Sequence, residues 1–110
     1  MNIENYIHDW HTATFPNATE KAIIDKLKEE CLELLDAIDK GDSTEIMREA
    51  ADVLIVASSL GTRTKSGILS EHVAIKMAIN ESRQWGKENS EGDRPRERLK
   101  HGQLTNVHKR

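Results

Sequence analysis

Apolar residues recur along most of this chain at three- and four-residue intervals, and few of the alternations that mark strands occur, so the pattern is helical nearly throughout. A short first helix is predicted over about Ile3–His11, stopping near Phe15–Asn17. Thr19 offers an N-cap for a long second helix that continues to Lys40 and closes at Gly41, a residue suited to the position just past a helix. Asp42 and Ser43 supply the next caps, and Asp42 with Glu45 resembles a capping box. The third helix is predicted to run to about Leu60, before Gly61. After the polar link TRTKSG, a fourth covers about Leu69–Trp85 and ends at Gly86. Short links between the last three helices favour antiparallel neighbours. The expected fold is all-α, an antiparallel bundle of about four helices, with no internal repeat of solenoid length.

Composition changes this picture in two ways. With 110 residues, 36% of them hydrophobic and 32% charged, a lone chain has a thin core, so the bundle is expected to be completed by homo-oligomerisation. From Lys87 onward the segment KENSEGDRPRERLKHGQLTNVHKR has no apolar stripe and is expected to be an irregular tail. The expected organisation is a helical domain over residues 1–86 and a polar tail over 87–110. The net charge of -3, with both signs dispersed, carries no nucleic-acid footprint. The single cysteine, Cys31, rules out an internal disulfide or a cysteine metal cluster and is expected to be a small core residue. No stretch is long enough to span a membrane, and MNIENYIHDWHTATF lacks the apolar region of a signal peptide. A cytoplasmic setting follows as the expectation.

Candidate chemistry lies in two carboxylate pairs. On the second helix Leu27, Cys31, Leu34 and Ile38 form an apolar line, with Glu30 and Glu33 on its shoulder and Glu29 one step further out. On the third, Ile46, Ala50, Val53, Ala57 and Leu60 form the line, and Glu49 and Asp52 flank it with the same offset. Asp52 stands inside EAADVLIVASSL, the most apolar run of the chain, where an unpaired carboxylate is costly to bury. Antiparallel packing would converge the four acids at the edge of the core. Their mutual repulsion requires compensation, and hard oxygen ligands without cysteine or suitably spaced histidine point to Mg²⁺, with Mn²⁺ as an alternative. The competing reading is a solvated acidic face with salt bridges.

On the fourth helix Lys76, Asn80 and Arg83 fall at i, i+4 and i+7, one stripe. A cation, an amide and a guanidinium in line suit a polyphosphate, although they also suit acids across the bundle. Cations opposite a metal site indicate a ligand that is both anionic and metal-chelating, such as a nucleoside triphosphate.

EECLE (Glu29, Glu30, Glu33) followed by EAAD (Glu49, Asp52) resembles the EExxE…ExxD signature of the MazG-like, all-α nucleoside triphosphate pyrophosphohydrolases, and KMAINESRQW resembles the K…N..R motif of that family's last core helix. The resemblance covers roughly residues 5–86 and is closest to the small, single-domain phage and bacterial type. It implies Mg²⁺-dependent hydrolysis of a (deoxy)nucleoside triphosphate to the monophosphate and pyrophosphate, in nucleotide-pool control. It implies Glu30, Glu33, Glu49 and Asp52 as metal ligands, Glu29 and Glu30 as catalytic carboxylates, and Lys76, Asn80 and Arg83 as substrate-binding residues. The expected assembly is a homodimer or homotetramer, and the absence of an apolar span and of a basic footprint leaves neither membrane nor nucleic acid as an expected partner. Trp10 and His11 are the candidates for contacting the base, against the alternatives of a core anchor and an exposed bystander. Phosphoribosyl-ATP pyrophosphohydrolases and dimeric dUTPases carry related signatures and stay open as readings, as does a non-catalytic helical interaction module.

Overall fold

The computed structural model describes residues 1–94, and these contain four helices and no strand: α1 (Ile3–Thr14), α2 (Glu20–Lys40), α3 (Ser43–Leu60) and α4 (Leu69–Ser82). α1 begins at Asn2, whose side chain accepts from the Asn5 N–H at 3.0 Å. It runs three residues beyond the predicted end and stops at Phe15, because the residue before a proline is driven out of helical geometry. Thr19 caps α2 through the Ala22 N–H, and Gly41, at φ 76°, closes it with its N–H shared between Ala37 and Ile38. Asp42 caps α3 by accepting from Thr44 and Glu45. The Glu45 carboxylate turns instead to Arg48, 3.7 Å away.

Gly61 acts through space rather than through φ. Its backbone stays right-handed, and the chain makes a further turn through Thr62 and Arg63 before leaving α3. A Cβ at Gly61 would stand 3.2 Å from the Ile68 backbone, so glycine lets the link fold back closely without displacing that backbone by a few tenths of an ångström. Glu4 of α1 then accepts from the Ser70 N–H at 2.9 Å, an acidic partner for the first turn of α4.

The chain divides into two compact units, Met1–Ala74 and a second beginning at Ile75, within α4. In the first unit α2 packs along α3, and α1 packs on α3. The inward stripe of α2 is Ile23, Leu27, Glu30, Leu34 and Ala37, spaced by alternating steps of four and three. This is rotated from the predicted line: Cys31 and Ile38 are exposed on the single chain, and Glu30 stands on the buried stripe itself. In the second unit α4 ends at Ser82, short of Trp85, whose indole N–H donates to the Asn80 carbonyl at 3.0 Å. Residues 87–94 are non-helical and turn around Asn89, which accepts from Glu91 and Asp93. The remainder of the predicted tail, residues 95–110, lies outside the described residues.

Candidate active site

Glu30 has only 7% of its side chain exposed. A buried carboxylate needs a partner, and Lys26, one helical turn earlier, supplies it: Nζ lies 3.1 Å from Glu30 Oε2. The same ammonium reaches Glu29 Oε1 at 3.6 Å. The hydrogen bond and the charge of Glu30 raise the pKa of Lys26, so it remains a cation.

α3 brings Glu49 and Asp52 to Glu30. One carboxylate oxygen from each of the three lies within 4.8 Å of the others. Glu49 Oε1 is enclosed and has no hydrogen-bond partner. That enclosure, and then the charges of Glu33, Asp52, Glu45 and Glu30, push the Glu49 pKa above its ordinary value. The set is a fit for a hard divalent cation: oxygen-only donors, mutual repulsion that a cation relieves, and one enclosed oxygen lacking any donor. Burial is less than the apolar run around Asp52 predicts. Asp52 and Glu33 are exposed residues that line a cavity instead of entering the core, and Glu49 is half-buried.

That cavity, about 850 Å³, is formed by α1, α2 and α3. Glu30, Glu33 and Asp52 line its acidic end. Tyr6, Trp10, His11 and Phe15 line its aromatic end, with Ala22 and Ile23 of α2 beside them. Lys26 lies between the two groups along α2. From Ala22 to Glu33 the helix rises about 16 Å, so the two ends are far enough apart for different chemistry.

His11 is buried, contrary to the reading of an exposed bystander, and its Nδ1 lacks a partner. Its ring packs at 5.2 Å from Phe15 and 6.3 Å from Trp10, and Trp10 meets Phe15 edge-on at 5.7 Å. Burial first, then the charges of Arg63 and His8, lower the His11 pKa.

The structure thus gathers Trp10, His11, Glu30, Glu33, Glu49 and Asp52 in one unit. Glu29 points outward to Lys26 and does not line the cavity. Lys76, Asn80 and Arg83 belong to the second unit, where Arg83 Nη1 donates to Asn80 Oδ1 at 3.0 Å. Sequence reasoning missed Lys26, Tyr6 and Arg63. For Lys26 a signal existed, its position four residues before Glu30 on one helix face.

The profile of the MazG nucleotide pyrophosphohydrolase domain matches residues 18–82, more than half of the chain. Among solved structures the chain is similar to a cyanophage S-2L MazG-like pyrophosphohydrolase bound to dGDP and three catalytic Mn²⁺ ions per active site. The two are 29% identical with a TM-score of 0.55, over 86% of this chain and 91% of that one. No curated protein matches. Among the described residues, no helix is long and apolar enough to cross a membrane.

Proposed function

Because the chain belongs to the MazG family and is therefore a nucleotide pyrophosphohydrolase, we propose that it hydrolyses a (deoxy)nucleoside triphosphate to the monophosphate and pyrophosphate. The dependence proposed is on Mg²⁺, with Mn²⁺ as a substitute, and the role is control of a cytoplasmic nucleotide pool. The observation that carries this reading is the convergence of Glu30, Glu49 and Asp52 at one end of a cavity whose other end is aromatic. The dGDP and Mn²⁺ of the cyanophage neighbour support the same pairing of base and metal.

Glu30, Glu33, Glu49 and Asp52 would hold the metal. When bound, a divalent cation neutralises phosphate charge and lowers the pKa of water. The chain's own contribution is placement. Glu30 is placed by burial on the inward stripe of α2, and Glu49, on α3, by the enclosure of its Oε1. A carboxylate left free of the metal can take the proton of the attacking water, the role proposed for Glu29 from outside the cluster, while Glu30 would serve catalysis as a ligand that fixes the metal. At the aromatic end, Trp10 offers a face and His11 a neutral ring to a nucleobase, and a cavity of this volume lies within the range of small-molecule sites. Lys76, Asn80 and Arg83 enter as phosphate ligands on the strength of the K…N..R resemblance alone.

The test is product analysis with Mg²⁺ across the common NTPs and dNTPs, with Asp52→Asn alongside. Monophosphate and pyrophosphate from the wild type only is the expected result. A product pattern of diphosphate and orthophosphate would overturn the cleavage site. No turnover of any of these nucleotides would move the substrate to another phosphoanhydride.

A further inference from the structure

Lys26 occupies a position that none of the metal-binding or base-binding roles uses. Among the described residues lining the cavity it is the sole lysine or arginine. It stands between the aromatic residues and the carboxylates along α2, with Ala22 and Ile23 one turn before it and Glu30 one turn after. A ligand that spans the cavity along α2, from ring to metal, passes it.

Its two contacts are both to carboxylates, Glu30 Oε2 at 3.1 Å and Glu29 Oε1 at 3.6 Å. They differ in kind. Glu29 is 64% exposed and gains little from the pair. Glu30 is 7% exposed, and the Lys26 ammonium is the cation that meets it. Lys26 itself is 56% exposed on a flexible four-carbon stem, free to reorient without disturbing the packing of α2. An ammonium on a carboxylate that is also a metal ligand competes with the metal for the same negative charge.

We infer that Lys26 is an exchangeable counter-ion: it neutralises Glu30 in the free enzyme and turns to the phosphate chain of the substrate when metal takes Glu30. The inference rests on the proposed function and adds a substrate-binding residue to it. In the free state the lysine replaces the missing positive charge, so the buried carboxylate is never uncompensated. In the loaded state the metal does that work, and the released ammonium lies where the sugar–phosphate part of a nucleotide bridges the two ends. Metal and triphosphate then bind cooperatively, because each removes a competitor of the other.

The two roles predict opposite signs for one substitution. Lys26→Met in the full chain should bind Mn²⁺ alone more tightly, by roughly 3- to 10-fold, since a competing cation has gone. The same variant should bind a non-hydrolysable triphosphate analogue in the presence of Mn²⁺ about 10-fold more weakly, since a charge-assisted phosphate contact has gone. Mn²⁺ affinity is read by the electron paramagnetic resonance signal of the free ion and analogue affinity by calorimetry, so neither depends on turnover. Lys26→Gln keeps a hydrogen-bond donor for Glu30 without the charge and should shift both affinities in the same directions, which separates charge from folding. Lys26→Arg should restore analogue binding. If Lys26→Met and Lys26→Gln weaken Mn²⁺ binding, the lysine supports Glu30 structurally and the exchange is wrong. If both leave analogue affinity at the wild-type value, Lys26 does not touch the phosphates. Wild-type protein that binds Mn²⁺ but no triphosphate analogue would instead overturn the functional reading itself, and this inference with it.

Discussion

The Arg63 guanidinium and the Ala18 carbonyl, 45 residues apart, meet at 2.6 Å through Nε. A second arm of the same guanidinium donates to the Phe15 carbonyl, also at 2.6 Å. The two bonds bracket Pro16 and Asn17 and tie the α1–α2 loop to the end of α3. Phe15 and Ala18 both line the cavity, so Arg63 shapes a wall of the site without lining it.

Arg63→Ala should therefore loosen that wall. Losing charge-assisted bonds from a half-buried arginine should lower unfolding stability by roughly 1.5–3 kcal/mol, measured by urea denaturation. KM should rise more than kcat falls, because the carboxylate end is untouched. Arg63→Lys should rescue little, since one ammonium cannot fork to two carbonyls in fixed directions. A fall in kcat as large as the rise in KM, or full rescue by lysine, would sink this account.

Why Arg63 was illegible, and the helices were not, is a matter of what each contact leaves in the sequence. Thr19, Gly41 and Asp42 act on neighbours within a turn, and residue type announces them. Arg63 acts on backbone carbonyls far along the chain, and a carbonyl has no residue signature. The rotation of α2 failed for a different reason. Leu27, Leu32, Leu34, Leu35 and Ile38 put apolar residues on adjacent stripes, so hydrophobicity alone does not say which one turns inward. The carboxylate pairing was legible despite that rotation, because i, i+3 spacing keeps two acids on one side whatever the exact facing. The spacing of Lys26 from Glu30 was legible too, but not that its partner is a buried carboxylate.

His11 makes the fold sensitive to mild acid. Its folded pKa is lowered by burial, Arg63 and His8, whereas the unfolded side chain titrates near 6.5. Between those values the unfolded chain binds more protons, so stability is fully present above pH 6.5 and falls as the pH drops towards the folded pKa. Urea denaturation from pH 7.5 down to 5 should show this loss in the wild type and a shallower slope in His11→Gln. A proton NMR titration that places the folded His11 above 6.5 would reverse the sign and refute the assignment.

Glu49 works in the opposite direction. Its folded pKa lies above the ordinary carboxylate value of 4.5, so its ionised form at neutral pH opposes the metal-free fold, and protonation relieves it. Removing a charge from the cluster should then cost the metal-free fold nothing. Glu49→Gln and Asp52→Asn are both expected to melt at or above the wild-type temperature without metal. Turnover should fall at least about 100-fold in each, as for loss of a group that stabilises charge in the transition state. Mg²⁺ should raise the melting temperature of the wild type and leave these variants unmoved. A metal-free variant melting well below the wild type would mean that the carboxylate holds the helices together, not a cation.

We propose that the exposed apolar residues of the first unit pack against a second chain. Only Ile7, Ile23 and Ala37 are buried hydrophobic residues among the described ones, whereas Leu32, Leu35 and Ile38 on α2 and Met47 and Leu54 on α3 are exposed on the single chain. A small domain depends on burying more than this, and an apolar face that is open on the single chain marks an interface. Size-exclusion chromatography with light scattering should therefore give the mass of two or four chains, with a melting temperature that rises with protein concentration. Leu35→Glu places a charge on that face and should shift the mass towards one chain while lowering the melting temperature. Because Leu35 lies outside the cavity lining, any residual assembled fraction should keep the wild-type KM. A wild-type mass of one chain at micromolar concentration, with no dependence of melting on concentration, would show that α2 and α3 are stable with this face open.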